Sequence, residues 1–163
     1  MGAVSWSWLD SDIASNIIGN IMRVVLDTNV LVAGLVSARG ASHALLTAVA
    51  AGRLKPLAST VIWLEYESVL KRDEIRALHH LGLQQIDSFL AALSFWVEPV
   101  ALHYLWRPWL RDPGDDMVLE LAVNGQAQAI VTHNMRDFSG VLVDFGLQVL
   151  TPAQCLDQLE IRR

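Results

Sequence analysis

The sequence predicts an α/β fold, a three-layer α/β/α sandwich in which helices cover both faces of a central parallel sheet. Short apolar runs with the character of buried strands alternate along the chain with longer amphipathic stretches of helical period. This alternation is typical of βαβ units, whose crossover helices enclose a parallel sheet. At 163 residues the chain has room for one domain of this kind.

Five apolar runs are short enough to be strands. They lie at residues 23–27, 56–58, 97–102, 128–132 and 147–150. The first and fourth are continuous apolar runs, as expected of central strands buried on both faces. The second is weak, and the third is interrupted by Pro99, which has no N–H to donate to a sheet.

Helical periodicity and capping residues predict the connections. The predicted helices cover residues 30–36, 42–51, 60–71, 73–81, 84–95 and 115–124, with a last helix that begins at Pro152. Thr28 and Asn29 are placed to cap the first helix, Ser42 the second, and Ser59 or Thr60 the third. Residues 106–114 contain two prolines and are predicted to form a loop.

Composition bounds the class of protein. No apolar run approaches the roughly 18 residues needed to cross a bilayer. The single cysteine, Cys155, excludes an intrachain disulfide and a cysteine-based zinc site, which fits the cytoplasm, where we expect the protein. Residues 1–21 have neither a sustained period nor a signal-peptide pattern, so we expect a non-catalytic extension before one domain over residues 22–163.

The formal net charge of −5 argues against a protein that binds nucleic acid mainly through attraction between a positively charged surface and the phosphates. The objection weakens if several acids converge on one pocket, because a bound divalent cation would invert the local field. The positions of the individual acids therefore decide how the charge should be interpreted.

Asp27 ends the first predicted strand. Ligands of open parallel sheets bind beyond the carboxyl ends of the strands, so Asp27 is a candidate site residue. Helix capping is the alternative, because aspartate is a favoured N-cap.

Glu65 interrupts an apolar stripe on the third predicted helix. Its neighbours on that face are Val61, Ile62 and Val69. A carboxylate facing a core costs on the order of several kcal/mol unless it is paired or bound to metal. Arg72 is the alternative partner for Glu65, whereas Glu67 on the far side is placed for an i,i+4 ion pair with Lys71.

Two further segments carry candidate ligands. Asp115 and Asp116 open a predicted helix, where one acid can cap while the other faces the site; we expect Asp116 to be the ligand and Asp115 the cap or a secondary ligand. Thr132, Asn134 and Asp137 follow a buried strand and are predicted as supporting or outer ligands. Shaping a turn is a nearly equal alternative for the last two.

Other conspicuous residues are predicted to be structural. His79 and His80 are adjacent on a helix and do not face one another, so we expect both on the solvated surface. Trp63, Trp96 and Trp109 are more easily explained as packing anchors than as base-stacking residues.

Four motifs in this order resemble the PIN-domain family. They are residues 24–31 (VVLDTNVL), 65–70 (EYESVL), 112–116 (DPGDD) and 130–134 (IVTHN). The resemblance covers about residues 22–156 and is nearest to the toxin components of VapBC-like toxin–antitoxin systems. It implies a ribonuclease dependent on Mg²⁺ or Mn²⁺, with Asp27, Glu65 and Asp116 as the core acids. Asn134 stands where the family often has a fourth acid. Homodimerisation and a small antitoxin partner are also implied.

The ligand types suggest the chemistry. Oxygen-only sites suit Mg²⁺ or Mn²⁺ and disfavour zinc. A metal held by Asp27, Glu65, Asp115, Asp116 and Asp137, with Thr28, Asn29, Thr132 and Asn134 in support, would activate water to attack an RNA phosphodiester.

Two alternatives remain. A haloacid-dehalogenase-like phosphatase also begins with a strand that ends in aspartate, but it needs a second aspartate where this chain has Asn29. A PIN-like protein- or RNA-binding module without cleavage is the other, favoured by Asn134 and the acidic net charge.

Overall fold

The computed structural model describes residues 21–103 and 110–161. The strands within these ranges are β1 (Met22–Leu26), β2 (Leu54–Ala58), β3 (Glu98–Pro99), β4 (Ala129–Val131) and β5 (Gln148–Leu150). The helices are α1 (Thr28–Val36), α2 (Ala41–Ala50), α3 (Thr60–Leu70), α4 (Asp73–His79), α5 (Leu83–Ser94), α6 (Pro113–Asn124), α7 (Val141–Phe145) and α8 (Pro152–Ile161).

The five strands form one parallel sheet in the order β3-β2-β1-β4-β5. β1 lies at the centre, where Val24 is opposite Pro56 of β2 on one side and Ala129 of β4 on the other. The side chains of β1 from Val24 to Leu26 are at most 1% exposed, as expected of a strand covered on both faces. The predicted three-layer α/β/α sandwich is confirmed.

The structure corrects several predicted bounds, among them α6, which begins at Pro113 within the predicted loop 106–114. β3 has two residues instead of the predicted six, because the chain can pair with β2 only briefly around Pro99. β2 begins two residues earlier than predicted, at Leu54. α7 was not predicted, since a helix of five residues is too short to show a period.

Predicted helix caps are right at α3 and wrong at α1 and α2. Ser59 caps α3 by accepting a hydrogen bond from the Ile62 N–H. Asp27 occupies the N-cap position of α1, so Thr28 and Asn29 are not caps. Gly40 occupies the N-cap position of α2, and Ser42 lies within that helix.

The prediction for His79 was wrong, because its side chain is buried at 6% exposure. Its Nε2 lies 3.1 Å from the Leu70 carbonyl oxygen, and its Nδ1 accepts from the Leu81 N–H at 3.1 Å. His79 therefore links the end of α3 to the α4–α5 connection. His80 is exposed as predicted.

The predicted packing and pairing on the outer helices are confirmed where they are described. Trp63 and Trp96 pack against the core, while Trp109 lies outside the described residues. Lys71 pairs with Glu67 at 2.6 Å, as the spacing predicted, and also with Asp87 of α5 at 2.6 Å.

The α1–α2 pair is tightly packed at a bend of 102°. A Cβ atom at Gly34 would lie 2.6 Å from Leu46 Cδ1, so only glycine fits this contact without a shift. Among the described helices none alone has the length and apolar character to span a membrane, although α1 and α2 taken together meet those two criteria.

Gly125 sets the position of α6 against the sheet. A Cβ atom there would lie 2.7 Å from Leu57 Cδ1, 3.0 Å from the Leu121 carbonyl oxygen and 3.2 Å from Val100 Cγ2. The missing side chain lets the end of α6 approach β2 closely. That contact helps to place the opposite end of α6, which carries three of the aspartates.

Candidate active site

The carboxyl ends of the two central strands bring Asp27 and Thr132 to the same edge of the sheet. Leu26 pairs with Val131, and β1 and β4 end at these residues. The Asp27 N–H donates to the Val131 carbonyl at 2.9 Å, and the Thr132 N–H donates to the Leu150 carbonyl at 2.9 Å. Both backbones are therefore fixed where their side chains leave the sheet.

One oxygen of the Asp27 carboxylate accepts two side-chain hydrogen bonds. The Thr132 hydroxyl donates to Asp27 Oδ2 at 2.6 Å, and the Asn29 amide donates to the same atom at 2.7 Å. The Thr132 oxygen in turn accepts from the Asn134 N–H at 2.9 Å. Thr132 and Asn29 therefore orient the Asp27 carboxylate, and Asn134 helps to orient Thr132.

Asp27 stands at the N-cap position of α1, and side chains from two segments orient its carboxylate. It makes no close capping hydrogen bond, although the backbone N–H groups of Thr28 and Asn29 favour its charged form. Burial raises the pKa of Asp27 above its ordinary value, whereas hydrogen bonding, from the Thr132 side chain first and less from Thr28 and Asn29, acts in the opposite direction. The helix start therefore accounts for part of the environment of Asp27, and the side chains of Thr132 and Asn29 account for the rest.

At the start of α6 the cap is Asp112. It accepts a hydrogen bond from the Gly114 N–H at 2.7 Å, with Pro113 as the first helical residue. The alternative in which Asp115 caps the helix is therefore wrong. The sequence held a usable signal, because proline is favoured at the first helical position and so marks the residue before it as the cap.

The two adjacent aspartates of α6 have different environments. Asp116 is buried at 1% exposure, and its Oδ1 accepts from the Leu110 N–H at 2.7 Å, so it joins the preceding loop to the helix. Asp115 is partly exposed. One oxygen of Asp116 is therefore engaged by the preceding loop, whereas Asp115 is partly open to solvent.

Electrostatics place Asp115 among the other acids. Burial, followed by the charges of Asp137, Asp112, Asp27 and Asp116 in that order, raises the pKa of Asp115 from 3.8 to about 6. Acids from three separate segments of the chain therefore act on one carboxyl group. Such convergence is typical of functional sites.

The loop after β4 contributes Asn134 and Asp137, both exposed. The His133 N–H donates to Asn29 Oδ1 at 3.2 Å, and the His133 ring Nε2 lies 2.8 Å from the hydroxyl oxygen of the buried Ser42. These contacts fasten the loop to both α1 and α2. The charge of Asp137 raises the pKa of Asp115, so Asp137 belongs to the same group of acids.

Glu65 lies on α3, which is fastened to the end of β1 by its neighbour Tyr66. The buried Tyr66 hydroxyl donates to the Leu26 carbonyl, and burial, helped by the charge of Asp27, raises its pKa, so it stays protonated. Glu65 itself is partly exposed, and it is not among the charges that raise the pKa of Asp115.

The apolar stripe around Glu65 is less buried than predicted, because Val61 is 40% exposed. Arg72 is exposed and forms no ion pair with Glu65 in the described part of the chain. The salt-bridge alternative for Glu65 is therefore wrong.

Asp27, Asp115 and Asp137 form no ion pair with any lysine or arginine in residues 21–103 and 110–161. Within the same ranges, no three Asp, Glu, His or Cys side chains are close enough to enclose a metal ion as they stand. Among the described residues, these acids thus stand near one another without a lysine or arginine that balances their negative charge.

Sequence reasoning missed three residues that position this site: Tyr66, Ser42 and His133. The signal for Tyr66 was its place on the buried face with Ile62 and Leu70, because a buried tyrosine needs a partner for its hydroxyl. Nothing in the sequence indicated that Ser42 and His133 meet, since 91 residues separate them.

Comparison with known proteins agrees with the geometry. A family model described as PIN domain matches residues 23–136, which is more than half of the chain and includes every predicted site residue except Asp137. No curated protein matches the chain. PIN domains are in general nucleases. The fold, the acids at the carboxyl edge of the sheet and the extent of this match together show that the chain belongs to the PIN-domain family.

Proposed function

We propose that this protein is an endoribonuclease that depends on Mg²⁺ or Mn²⁺. The observation that supports this most is the grouping of acids around Asp115, whose pKa is raised to about 6 by burial first and then by the charges of Asp137, Asp112, Asp27 and Asp116. Mutual repulsion of this kind is relieved when a divalent cation binds between carboxylates. The oxygen-only donor set fits Mg²⁺ or Mn²⁺ and does not favour zinc.

The cation would be held by Asp27, Asp115 and Asp137. Two further acids, Glu65 and Asp116, would belong to the same site. We place Asp115 ahead of Asp116 as a direct ligand, because one oxygen of Asp116 is already engaged by the Leu110 N–H. When bound, the cation would supply a water activated for attack on a phosphodiester and charge neutralisation at its oxygens.

The remaining residues prepare that site. Thr132 and Asn29 both donate to Asp27 Oδ2, which holds the carboxylate in one orientation, and no side chain of residues 21–103 or 110–161 donates to Oδ1. Thr28 favours the charged form of Asp27 through its backbone. Asn134 supports Thr132 through its N–H, a role that does not require an acid at this position.

The test is cleavage of single-stranded and structured RNA by the purified protein in Mg²⁺, in Mn²⁺ and in EDTA. We expect cleavage only with a divalent cation. Asp27→Asn should abolish it with an unchanged circular dichroism spectrum. Asp157→Asn, at an exposed position of α8, is the matched control and should cleave normally.

Full activity in EDTA would contradict the metal dependence. RNA binding without cleavage in any divalent cation would instead support the alternative of a non-cleaving PIN-like module. The two outcomes are separable because binding can be measured by fluorescence anisotropy in either buffer.

We further propose that the protein is the toxin of a toxin–antitoxin pair and forms a homodimer. The support is the resemblance of the four motifs to VapBC-like toxins. Light scattering of the purified chain tests the dimer. Coexpression with the product of an adjacent reading frame for a small DNA-binding protein tests the pair, and such a product should form a stable complex that cleaves RNA poorly.

A further inference from the structure

An apolar pocket of about 310 Å³ lies at the same edge of the sheet as the acids. Ala58 and Pro99, at the ends of β2 and β3, line it together with Trp63 and Leu64 of α3. The volume is at the lower end of the range for small-ligand sites, about 300–1,000 Å³. No lining residue is charged, and the role of the pocket is not explained by the acidic site.

The register of the strands shows where the pocket lies relative to Asp27. Continuing the register of β1 and β2 places Leu26 level with Ala58, and Ala58 pairs with Pro99. Adjacent strands are about 4.8 Å apart, so the two pocket residues lie about 5 and 10 Å to the side of β1, which Asp27 follows. A stacked strand of nucleic acid rises about 3.4 Å per nucleotide, so two or three nucleotides span this distance.

The lining is mostly apolar and suits a flat, mostly apolar group with polar edges better than a phosphate. An anion there would lose its hydration and gain only hydroxyl groups, with no cationic side chain to balance its charge. The indole of Trp63 packs against the core and makes a T-shaped contact with Tyr66, and it also lines the pocket. Nucleobases of any type stack on aromatic rings of this kind. Leu64, 57% exposed, adds apolar surface at the rim.

Ser59 adds a polar group inside this lining. It is 4% exposed, and its hydroxyl oxygen accepts from the Ile62 N–H at 3.3 Å. The hydroxyl hydrogen has no acceptor among the described residues and can be donated to a base edge.

We infer that this pocket binds an unstacked nucleobase of single-stranded RNA next to the cleaved phosphodiester. The inference rests on the proposed function and adds the form of substrate that it takes. A chain with a net charge of −5 gains little from phosphate contacts, so base contacts would supply affinity that bulk electrostatics do not.

The test measures binding in EDTA, where no cleavage occurs. Short oligoadenylate and oligouridylate are compared with an abasic oligomer of the same length. Affinity is measured by fluorescence anisotropy, and the ¹⁵N-indole signals of the tryptophans report which ring is contacted. We expect the base-bearing oligomers to bind about tenfold more tightly and to shift the Trp63 signal.

Two variants locate the effect. Trp63→Leu keeps an apolar side chain but removes the aromatic surface, and Leu64→Gln changes an exposed position. Both should lose the preference for bases over the abasic oligomer. Leu78→Gln, at a position of α4 with 54% exposure, is the matched control and should keep it. Thermal unfolding checks that each variant is folded.

Equal binding of abasic and base-bearing oligomers would overturn the inference, as would an unchanged preference in folded Leu64→Gln. If Leu64→Gln instead converts a dimer into monomers, a second copy covers the pocket and the inference is wrong. Base-dependent binding without cleavage in Mg²⁺ or Mn²⁺ would contradict the proposed function alone. Cleavage without base preference would contradict this inference alone.

Discussion

The Thr132 hydroxyl donates a 2.6 Å hydrogen bond to Asp27 Oδ2 and so joins the ends of the two central strands through their side chains. Thr132 is fully buried, and Asp27 is partly buried. A carboxylate in this position is stable as an anion only while such donors are present. The bond therefore joins the two strand ends and fixes the orientation of the Asp27 carboxylate.

Thr132→Val should lower both the stability of the fold and the affinity for a divalent cation. Removing the hydroxyl leaves Asp27 with one side-chain donor, which should raise its pKa further and lower the free energy of unfolding by about 1–3 kcal/mol at neutral pH. The affinity for Mn²⁺, measured by calorimetry, should fall. Thr132→Ser keeps the hydroxyl and should retain most of both. Equal Mn²⁺ affinity in the valine and serine variants would contradict this role.

The stability of the metal-free protein should depend on the protonation of Asp115. Its pKa is about 6 in the folded protein, against an ordinary value of 3.8, so the folded state takes up this proton first as the pH falls. The resulting stability is fully present below about pH 3.8 and is lost as the pH rises through about 6. Urea unfolding in EDTA should therefore show that Asp115→Asn removes this part of the pH dependence.

At pH 7.5 the same variant should be more stable than the parent by about 1 kcal/mol, after allowance for solvent screening of a partly exposed group. Asp157→Asn should leave the pH profile unchanged. A profile that is identical in the parent and in Asp115→Asn would show that the acids do not repel one another in solution.

Substitutions of Asp115 and Asp116 should have different effects on Mn²⁺ affinity and on stability. Asp115→Asn should lose Mn²⁺ affinity without losing stability. Asp116→Ala should lower the free energy of unfolding by about 1–3 kcal/mol, because it leaves the Leu110 N–H without its acceptor. Asp116→Asn can still accept that hydrogen bond and should be nearly as stable as the parent. A stable Asp116→Ala variant with no Mn²⁺ affinity would reverse the two assignments.

Gly125→Ala should be destabilising even though it replaces glycine by a better helix former. The new methyl group would meet Leu57 and the Leu121 carbonyl oxygen at 3.0 Å or less, which costs about 1–3 kcal/mol when the neighbours cannot move. Gly40→Ala meets no atom nearer than 3.5 Å and should be affected less. Chemical denaturation measures both, and equal stability of the two variants would argue against tight packing at the end of α6.

Much of the framework followed from the sequence because its signals are local. The apolar run before Asp27, the Ser59 cap of α3 and the proline at the start of α8 depend only on neighbouring residues. The parallel sheet followed from the order of these elements. Acids at the carboxyl edge were predictable for the same reason, since the topology determines where strand ends meet.

What could not be predicted depends on contacts between distant parts of the chain. Two adjacent histidines do not reveal that one of them will bind the end of α3 and be buried. The three acids between Asp112 and Asp116 share one helix start, and only their partners distinguish a cap, a loop anchor and an exposed carboxyl group. The length of β3 depends on how long it can follow β2, which its own residues do not determine.

The pairing of β1 with β4 has a consequence for the time at which the acids can come together. Asp27 is translated before β4, the strand that holds its backbone, and 105 residues before the Thr132 hydroxyl that orients it. A chain still attached to the ribosome has no assembled centre until the residues beyond β4 have been released. The endoribonuclease activity proposed for this centre would therefore appear in a nascent chain only after the segment that follows β4 has left the ribosome.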